Sequence, residues 1–445
     1  PPERHLALSI VDDDLGHAWL TQADRRVDLA EVHHPGDLDA MGAYRRRVRQ
    51  GMAPEVPFDE ALPRAFHDPV ARLAQMDEFD LDAAVLFPNY GLLWERPLAD
   101  RPQAQLANMR AWNRWAAEVV KTGGGRLAPV AHVSLRDLDW LEAELDSLSS
   151  AGVRLAMTAP ALVDGKPLSD PSLDRAWSAF VEHDVAPVFH VANFPHPFHD
   201  AWYDKDPDGA APVVGSVFIW SAPALALCDM AINGVFDRHP DLRLGIMELS
   251  AVWVPMFLLM LDGGFDFHAR FNGRPLRELS LKPSQYIQRQ VKVAVFCYEG
   301  PKRLIDELGE DMLTFSSDYP HAEGIPRPVT DYERIAGPMD GRAAEQLYAG
   351  NLRWLLGAAS SPVPLSGRPT RPAAGVSKSM TSSAPRARAM RSRLMTVGDT
   401  IPRSSRAMDG WLVPARRASS TWLSPALRRA ARTALPTMIE VRARS

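Results

Sequence analysis

One ten-residue stretch of this chain concentrates titratable side chains. Phe315–Gly324 reads FSSDYPHAEG, and Asp318, His321 and Glu323 fall within six positions. Carboxylates and an imidazole so close together can hold a divalent cation or pass a proton. The apolar run MLTF leads into them, so Asp318 stands where a strand should end. Three more such side chains end strand-like runs elsewhere: His132, His190 and Glu248. Each has an ordinary explanation on its own. A histidine at a strand end is commonly a satisfied structural residue. Glu248 could cap the following helix, and Asp318 could open a turn ahead of Pro320. Gathered at one end of a sheet, they would form a nitrogen-and-oxygen site for a divalent metal. A bound metal lowers the pKa of its water to about 7, which supplies a nucleophile at neutral pH.

Other histidines are less clear. His196, His199 and Asp200 lie in NFPHPFHDAWYD, a long aromatic loop after the His190 run. That loop suits a pocket wall or lid, and equally an ordinary insertion. His33 and His34 in EVHHPGD read as a surface turn.

The elements that must carry these residues follow from periodicity. Seven short β-branched or apolar runs read as strands: Asp82–Asn89, Arg126–Leu135, Gly152–Pro160, Ala186–Asn193, Leu242–Leu249, Val291–Glu299 and Met312–Asp318. Helical patterns such as LDWLEAELDSLSSAG and PKRLIDELGED separate them, commonly closed by Gly or Asp. Repeated β-then-α units imply a parallel sheet with right-handed crossovers. In such sheets reactive residues gather at the carboxyl ends of the strands. Seven strands fit an open doubly wound sheet, or a (β/α)8 barrel with one strand unaccounted for. The glycine-rich TGGGR, Thr122–Arg126, closes a helix before a strand, the reverse of a phosphate cradle, and reads as a loop.

Composition narrows the classes. The chain of 445 residues is 46% hydrophobic, enough for a large core, and its formal charge of −5 favours no particular partner. Cys228 and Cys297 cannot make a disulfide framework, which fits a reducing, cytoplasmic setting. There is no signal-peptide pattern and no charge-free apolar run of about 18 residues, so no membrane span is expected. Charge is unevenly spread: residues 358–445 hold 16 Lys and Arg against 3 Asp and Glu. Two parts are therefore expected, a folded domain over 1–357 and a basic low-complexity tail over 358–445. The tail reads as disordered and solvated, and its scarcity of aromatics argues against specific nucleic-acid binding.

Two blocks carry a resemblance. GVFDRHPDLRLGIMELSAVWVPMFLLMLD is followed about fifty residues later by FSSDYPHAEG and then LYAGNLRWLLG. Together they resemble the amidohydrolase-related family, the branch of metal-dependent hydrolases that contains aminocarboxymuconate-semialdehyde and γ-resorcylate decarboxylases. The similarity covers about residues 1–357. It implies a (β/α)8 barrel of the metal-dependent hydrolase type. It also implies one divalent metal ion, zinc or alternatively manganese, held by a first-strand His-x-His, Asp-x-His or Glu-x-His pair, a fifth-strand His and an eighth-strand Asp. The last two match His190 and Asp318. The decarboxylases place a catalytic histidine where this chain has Glu248, so Glu248 is expected to act as acid, base or further ligand. His132, His196 and His321 are expected to line the pocket. No lysine stands in GVRLAMTAP to bridge two metals.

The first strand is expected upstream of Pro1, missing or degenerate here. Its alternative is Leu6–His17, with Asp12, Asp14 and His17 as ligands, although DDDLGHAWL reads better as a hairpin arm. The resemblance implies a non-oxidative decarboxylase of an unsaturated or aromatic carboxylic acid. The alternatives are hydrolysis of an amide, ester or lactone bond, and a truncated, inactive relative. The expected partners are a small-molecule carboxylate and a second copy of the chain in a homodimer.

Overall fold

The computed structural model describes residues 7–22, 25–89, 98–191, 197–203, 213–339, 341–357 and 394–397. Two sheets organise them. At the amino end, β1 (Leu8–Asp12), β2 (Ala18–Gln22) and β3 (Arg25–Leu29) form a three-stranded antiparallel meander. Leu8 pairs with Gln22 and Asp12 with Ala18. The Asp13 carboxylate closes the turn between the first two strands by accepting from the backbone N–H groups of Leu15 and His17. The DDDLGHAWL segment is thus the hairpin its pattern suggested. The alternative that made it a barrel strand with metal ligands is corrected. His17 is tied instead to Asp13 and to the Met52 carbonyl.

The second sheet is parallel and contains all seven expected strands, each inside its expected range. They are β4 (Ala83–Leu86), β5 (Leu127–His132), β6 (Leu155–Met157), β7 (Ala186–His190), β8 (Leu244–Met247), β9 (Val291–Val295) and β10 (Leu313–Phe315). They lie side by side in chain order, and helices fill the crossovers. Asp137 caps the helix Leu138–Ser150 through the Trp140 N–H, while Gly124, in the left-handed region, ends Pro102–Gly123 within the TGGGR loop. An eighth strand, β11 (Leu394–Val397), pairs in parallel with β4. Its Cα atoms also come within 8 Å of those of β10, and the curled parallel sheet with its crossover helices has the architecture of a (β/α)8 barrel. This strand lies inside the stretch expected to be disordered. The remainder of 358–445 is outside the described residues.

Alternation along each strand sorts side chains between two cores. Odd positions of β9 and β10, such as Val291, Val293, Leu313 and Phe315, face the helices together with Phe189, Ile246, Trp177 and Phe180. Complete burial of side chains this large contributes about 1.5–3 kcal/mol each. The inner core holds Val85, Val130, Met157, Val188, Met247 and Ala294, with Leu352 and Leu355 of the helix Asn351–Leu356. That helix plugs the end of the barrel where the strands begin. A Cβ on Gly245 would sit 3.0 Å from Leu355. The barrel is therefore packed at its base, as such barrels are, and its polar residues collect at the opposite end. No helix among the described residues is long and apolar enough to cross a membrane.

Candidate metal and acid–base centre

Strand parity explains how the site assembles. Val130 and Val188 point into the barrel, so His132 and His190, two residues further along, point inward as well. Both are completely buried. Glu248 directly follows β8, and Asp318 follows β10 by three residues. All four thus stand at the carboxyl ends of parallel strands, as expected.

His190 is held by its own backbone neighbourhood. Its Nδ1–H donates to the Val191 carbonyl at 2.7 Å, and the Phe87 ring stacks on it with centroids 4.2 Å apart. Burial, helped by the nearby His321 and His132 imidazoles, pushes its pKa down to about 3, against the pull of the Val191 carbonyl. The ring is neutral, with the lone pair on Nε2. That atom makes no hydrogen bond, yet lies 2.8 Å from Glu248 Oε2. An unprotonated nitrogen facing a carboxylate oxygen at this distance calls for a cation or a shared proton between them.

The loop after β10 supplies the other wall. Asp318 Oδ1 lies 3.1 Å from His321 Nδ1 and makes no hydrogen bond; neither do the two ring nitrogens of His321. Glu248 Oε1 is 3.8 Å from the same His321 nitrogen. Donor atoms of Glu248, Asp318, His321 and Glu323 all lie within 4.8 Å of one another. Burial raises the Asp318 carboxyl well above its ordinary range, raises Glu323, and lowers His321 to about 3. Three carboxyl groups and neutral imidazoles enclosed together have an excess of lone pairs that a divalent ion would satisfy. The donors are of the nitrogen-and-oxygen kind that zinc and manganese accept. The residues present therefore fit a divalent metal.

The backbone at the site is held in sparsely populated conformations. Glu248, Ser250 and Asp318 have φ of 54°, 62° and 55°. Such left-handed conformations cost a non-glycine residue roughly 1–2 kcal/mol and persist where the surroundings impose them. Glu299 supplies one such constraint. Its carboxylate accepts from the Ser250 hydroxyl and the Ala251 N–H at one oxygen and from the Phe296 N–H at the other, clamping the loop after β8 to the loop after β9. Gly324 supplies a second. A Cβ there would lie 2.2 Å from the Asp318 carbonyl oxygen, so only glycine lets the loop fold back on the site.

His321, expected to line the pocket, is completely buried among the donor atoms. The reason is its turn: the His321 N–H returns to the Asp318 carbonyl at 2.8 Å, which folds the ring inward. The surface-turn reading of His33 is also corrected. His33 is buried and stacks on His321 with centroids 5.0 Å apart, because its loop is fastened by the Gly36 N–H to the Ala322 carbonyl. His34 is exposed, as expected. His132 is braced by Asn113, which bonds both its N–H and its carbonyl and also reaches Glu144. His199 is exposed, and His196 lies outside the described residues. Glu299, Asn113 and His33 were missed. Of the three, Glu299 was visible as the polar end of a strand run, as Glu248 was.

Known proteins resemble this chain in sequence and in fold. The family model described as Amidohydrolase matches residues 16–351. The 2-amino-3-carboxymuconate-6-semialdehyde decarboxylase of Dictyostelium discoideum is 26% identical over 302 residues, 65% of this chain and 77% of that protein. An amidohydrolase from Mycobacterium avium subsp. paratuberculosis superposes with a TM-score of 0.60 at 23% identity, over 80% of this chain and 93% of that one. A 5-carboxyvanillate decarboxylase from Novosphingobium aromaticivorans, solved with manganese and 4-hydroxy-3-methoxy-5-nitrobenzoic acid, superposes with a TM-score of 0.50 at 22% identity, over 73% of this chain and 94% of that one.

Proposed function

Because this chain belongs to the amidohydrolase family, we propose that it is a metal-dependent carbon–carbon lyase that removes carbon dioxide from an unsaturated or aromatic carboxylic acid. The observation that carries the proposal is the enclosed set of donor atoms without hydrogen-bond partners on His190, Asp318 and His321, beside Glu248. The chemistry named for the Dictyostelium and Novosphingobium proteins supports decarboxylation as the reaction.

His190 and Asp318 would hold the metal, with Glu248, His321 and Glu323 within reach as further ligands. Zinc and manganese both suit these donors, and the manganese in the Novosphingobium protein supports trying it first. When bound, the ion would polarise the substrate and fix its carboxylate. The protein's own groups supply the rest. As the bond to the carboxylate carbon breaks, carbon dioxide leaves and its electron pair stays on the substrate carbon. That carbon must take one proton, and Glu248 is placed to deliver it. Glu323 is only partly buried and its carboxyl is raised by burial. Its donor oxygen lies within 4.8 Å of one on Glu248, so it is placed to pass protons between solvent and Glu248. The closed inner core excludes water from the base of the pocket.

The test is direct. The full chain would be stripped of metal, reloaded with manganese or zinc, and offered hydroxylated benzoates and unsaturated carboxylates. Release of carbon dioxide that depends on the metal and disappears in Asp318→Ala is the expected result. Cleavage of esters, lactones or amides by the loaded protein, without carbon dioxide, would replace the lyase reading with the hydrolase one. Unpaired Cys228 and Cys297 support a reducing compartment. Exposed Leu259, Met260, Phe267 and Phe271 along one helix support a homodimer, which light scattering of the purified chain would test.

A further inference from the structure

Resting on the reading of this site as a carboxylic-acid lyase, we propose that Tyr298, backed by Phe296, is a stacking wall of the pocket that selects a planar ring. The acid taken here is then an aromatic one rather than an open-chain unsaturated one.

Strand parity sets where the two rings stand. Val293, Val295 and Cys297 face the helices, while Ala294 points into the barrel. Phe296 therefore points inward as well. It directly follows β9, at the carboxyl end of the sheet where Glu248 and Asp318 also stand. The chain then makes a short turn, Cys297–Glu299, ended by Gly300 in the left-handed region at φ 71°. Cys297 is anchored in the outer core, and Tyr298 stands out from the turn. The Tyr298 and Phe296 rings are parallel to within 11°, with centroids 5.4 Å apart. That is the offset-stacked arrangement aromatic pairs prefer.

The turn is pinned on both sides. The Val295 carbonyl accepts from the Tyr332 hydroxyl at 3.1 Å, and the Phe296 N–H donates to the Glu299 carboxylate at 2.8 Å. The same carboxylate holds Ser250 and Ala251, so both rings keep a fixed place beside the loop that carries Glu248. Tyr298 is 68% exposed although Phe296 covers one of its faces, which leaves the opposite face open. Desolvation nonetheless raises its pKa, and Glu299, Asp318, Cys297 and Glu248 raise it further. A ring that is exposed yet desolvated lines a cleft. One that feels Asp318 and Glu248 lines the cleft that holds the donor atoms. Its hydroxyl stays protonated and presents no charge to an anionic substrate.

A rigid, open aromatic face suits a rigid, flat partner. The ring of an aromatic acid can lie against it with no internal rotation to freeze. An open-chain dienoic acid has less flat surface to offer and loses torsional freedom on binding.

The test measures binding in the full chain loaded with manganese. Titration calorimetry would compare salicylate, a planar aromatic acid, with sorbate, an open-chain dienoic acid, in the parent, Tyr298→Leu and Tyr298→Phe. Leucine keeps the apolar bulk and removes the flat face; phenylalanine keeps the face and removes the hydroxyl. Tyr298→Leu is expected to weaken salicylate by about tenfold and to leave sorbate within about twofold, while Tyr298→Phe stays within about threefold of the parent for both. Manganese affinity is expected to match the parent in each variant. Equal losses for both acids, an undiminished affinity for salicylate in Tyr298→Leu, or a parent that does not bind salicylate would overturn the stacking wall. So would loss of manganese binding in both variants, which would make the role of Tyr298 a structural one. Selective loss of salicylate in a protein that releases carbon dioxide from no acid would sink the lyase reading and leave the stacking wall in place.

Discussion

Replacing Gly324 with alanine would test whether the site depends on a backbone crossing rather than on its ligands alone. The added Cβ would meet the Asp318 carbonyl oxygen at 2.2 Å and its carbon at 2.6 Å, where contacts under 3.0 Å are essentially never seen. Moving from 2.2 to 3.0 Å requires the two backbone segments to separate by about 0.8 Å. Both segments are tied. The His321 N–H bonds the Asp318 carbonyl, the Gly324 N–H bonds the His321 carbonyl, and the Ile325 N–H bonds the Ser317 carbonyl. The separation must therefore move Asp318 or break one of these bonds. Overpacking of this kind costs about 1–3 kcal/mol of stability. A misplacement near 1 Å at a reacting site costs on the order of 100-fold in rate. Gly324→Ala is thus expected to lower the melting temperature by several degrees and to weaken manganese binding, followed by titration calorimetry, by at least tenfold. Manganese affinity within a factor of two of the parent, in a folded variant, would refute the coupling between this crossing and the donor cluster.

Four further outcomes follow from named contacts. Asp318→Asn should keep the fold, since asparagine tolerates the left-handed region, and should leave the metal-free protein as stable as the parent or more so; metal content by atomic emission should fall at least tenfold. Glu299→Gln leaves one former carboxylate oxygen as a donor group facing the Phe296 or Ala251 N–H, so a loss of about 1–3 kcal/mol in denaturant unfolding is expected. His33→Ala removes the ring stacked on His321 and should cost about 1–3 kcal/mol while raising the apparent dissociation constant for metal. Lys292 points into the barrel base, bonds the Asp311 carbonyl and lies 4.3 Å from the Trp354 ring centre. Burial lowers its pKa to about 8, with Asp311 opposing the shift. From pH 8 to the ordinary lysine value near 10.4 the unfolded chain binds more protons than the folded one, so this group makes the parent gain stability as pH rises. Lys292→Met should abolish that gain, at most about 3 kcal/mol, in denaturant midpoints compared at pH 7 and pH 10.

The sequence alone determined the seven central strands, because a parallel strand buried on both faces must be apolar along its length and must stop at a polar or turn residue. It also determined that His132, His190, Glu248 and Asp318 would share one end, since in βα units every strand runs the same way. The resemblance of the PDLR…E and DYPH blocks then pointed to the family. Only the tertiary structure decided what surrounds those four residues. His321 turns inward because the chain folds back over Gly324, and His33 joins it because an amino-terminal loop is fastened to Ala322. The second of these contacts links residues almost three hundred positions apart, and no local periodicity records either. The eighth strand was illegible for a similar reason. Four residues, LMTV, in a basic, proline-rich stretch carry no period of their own, and form a strand only through backbone pairing with β4.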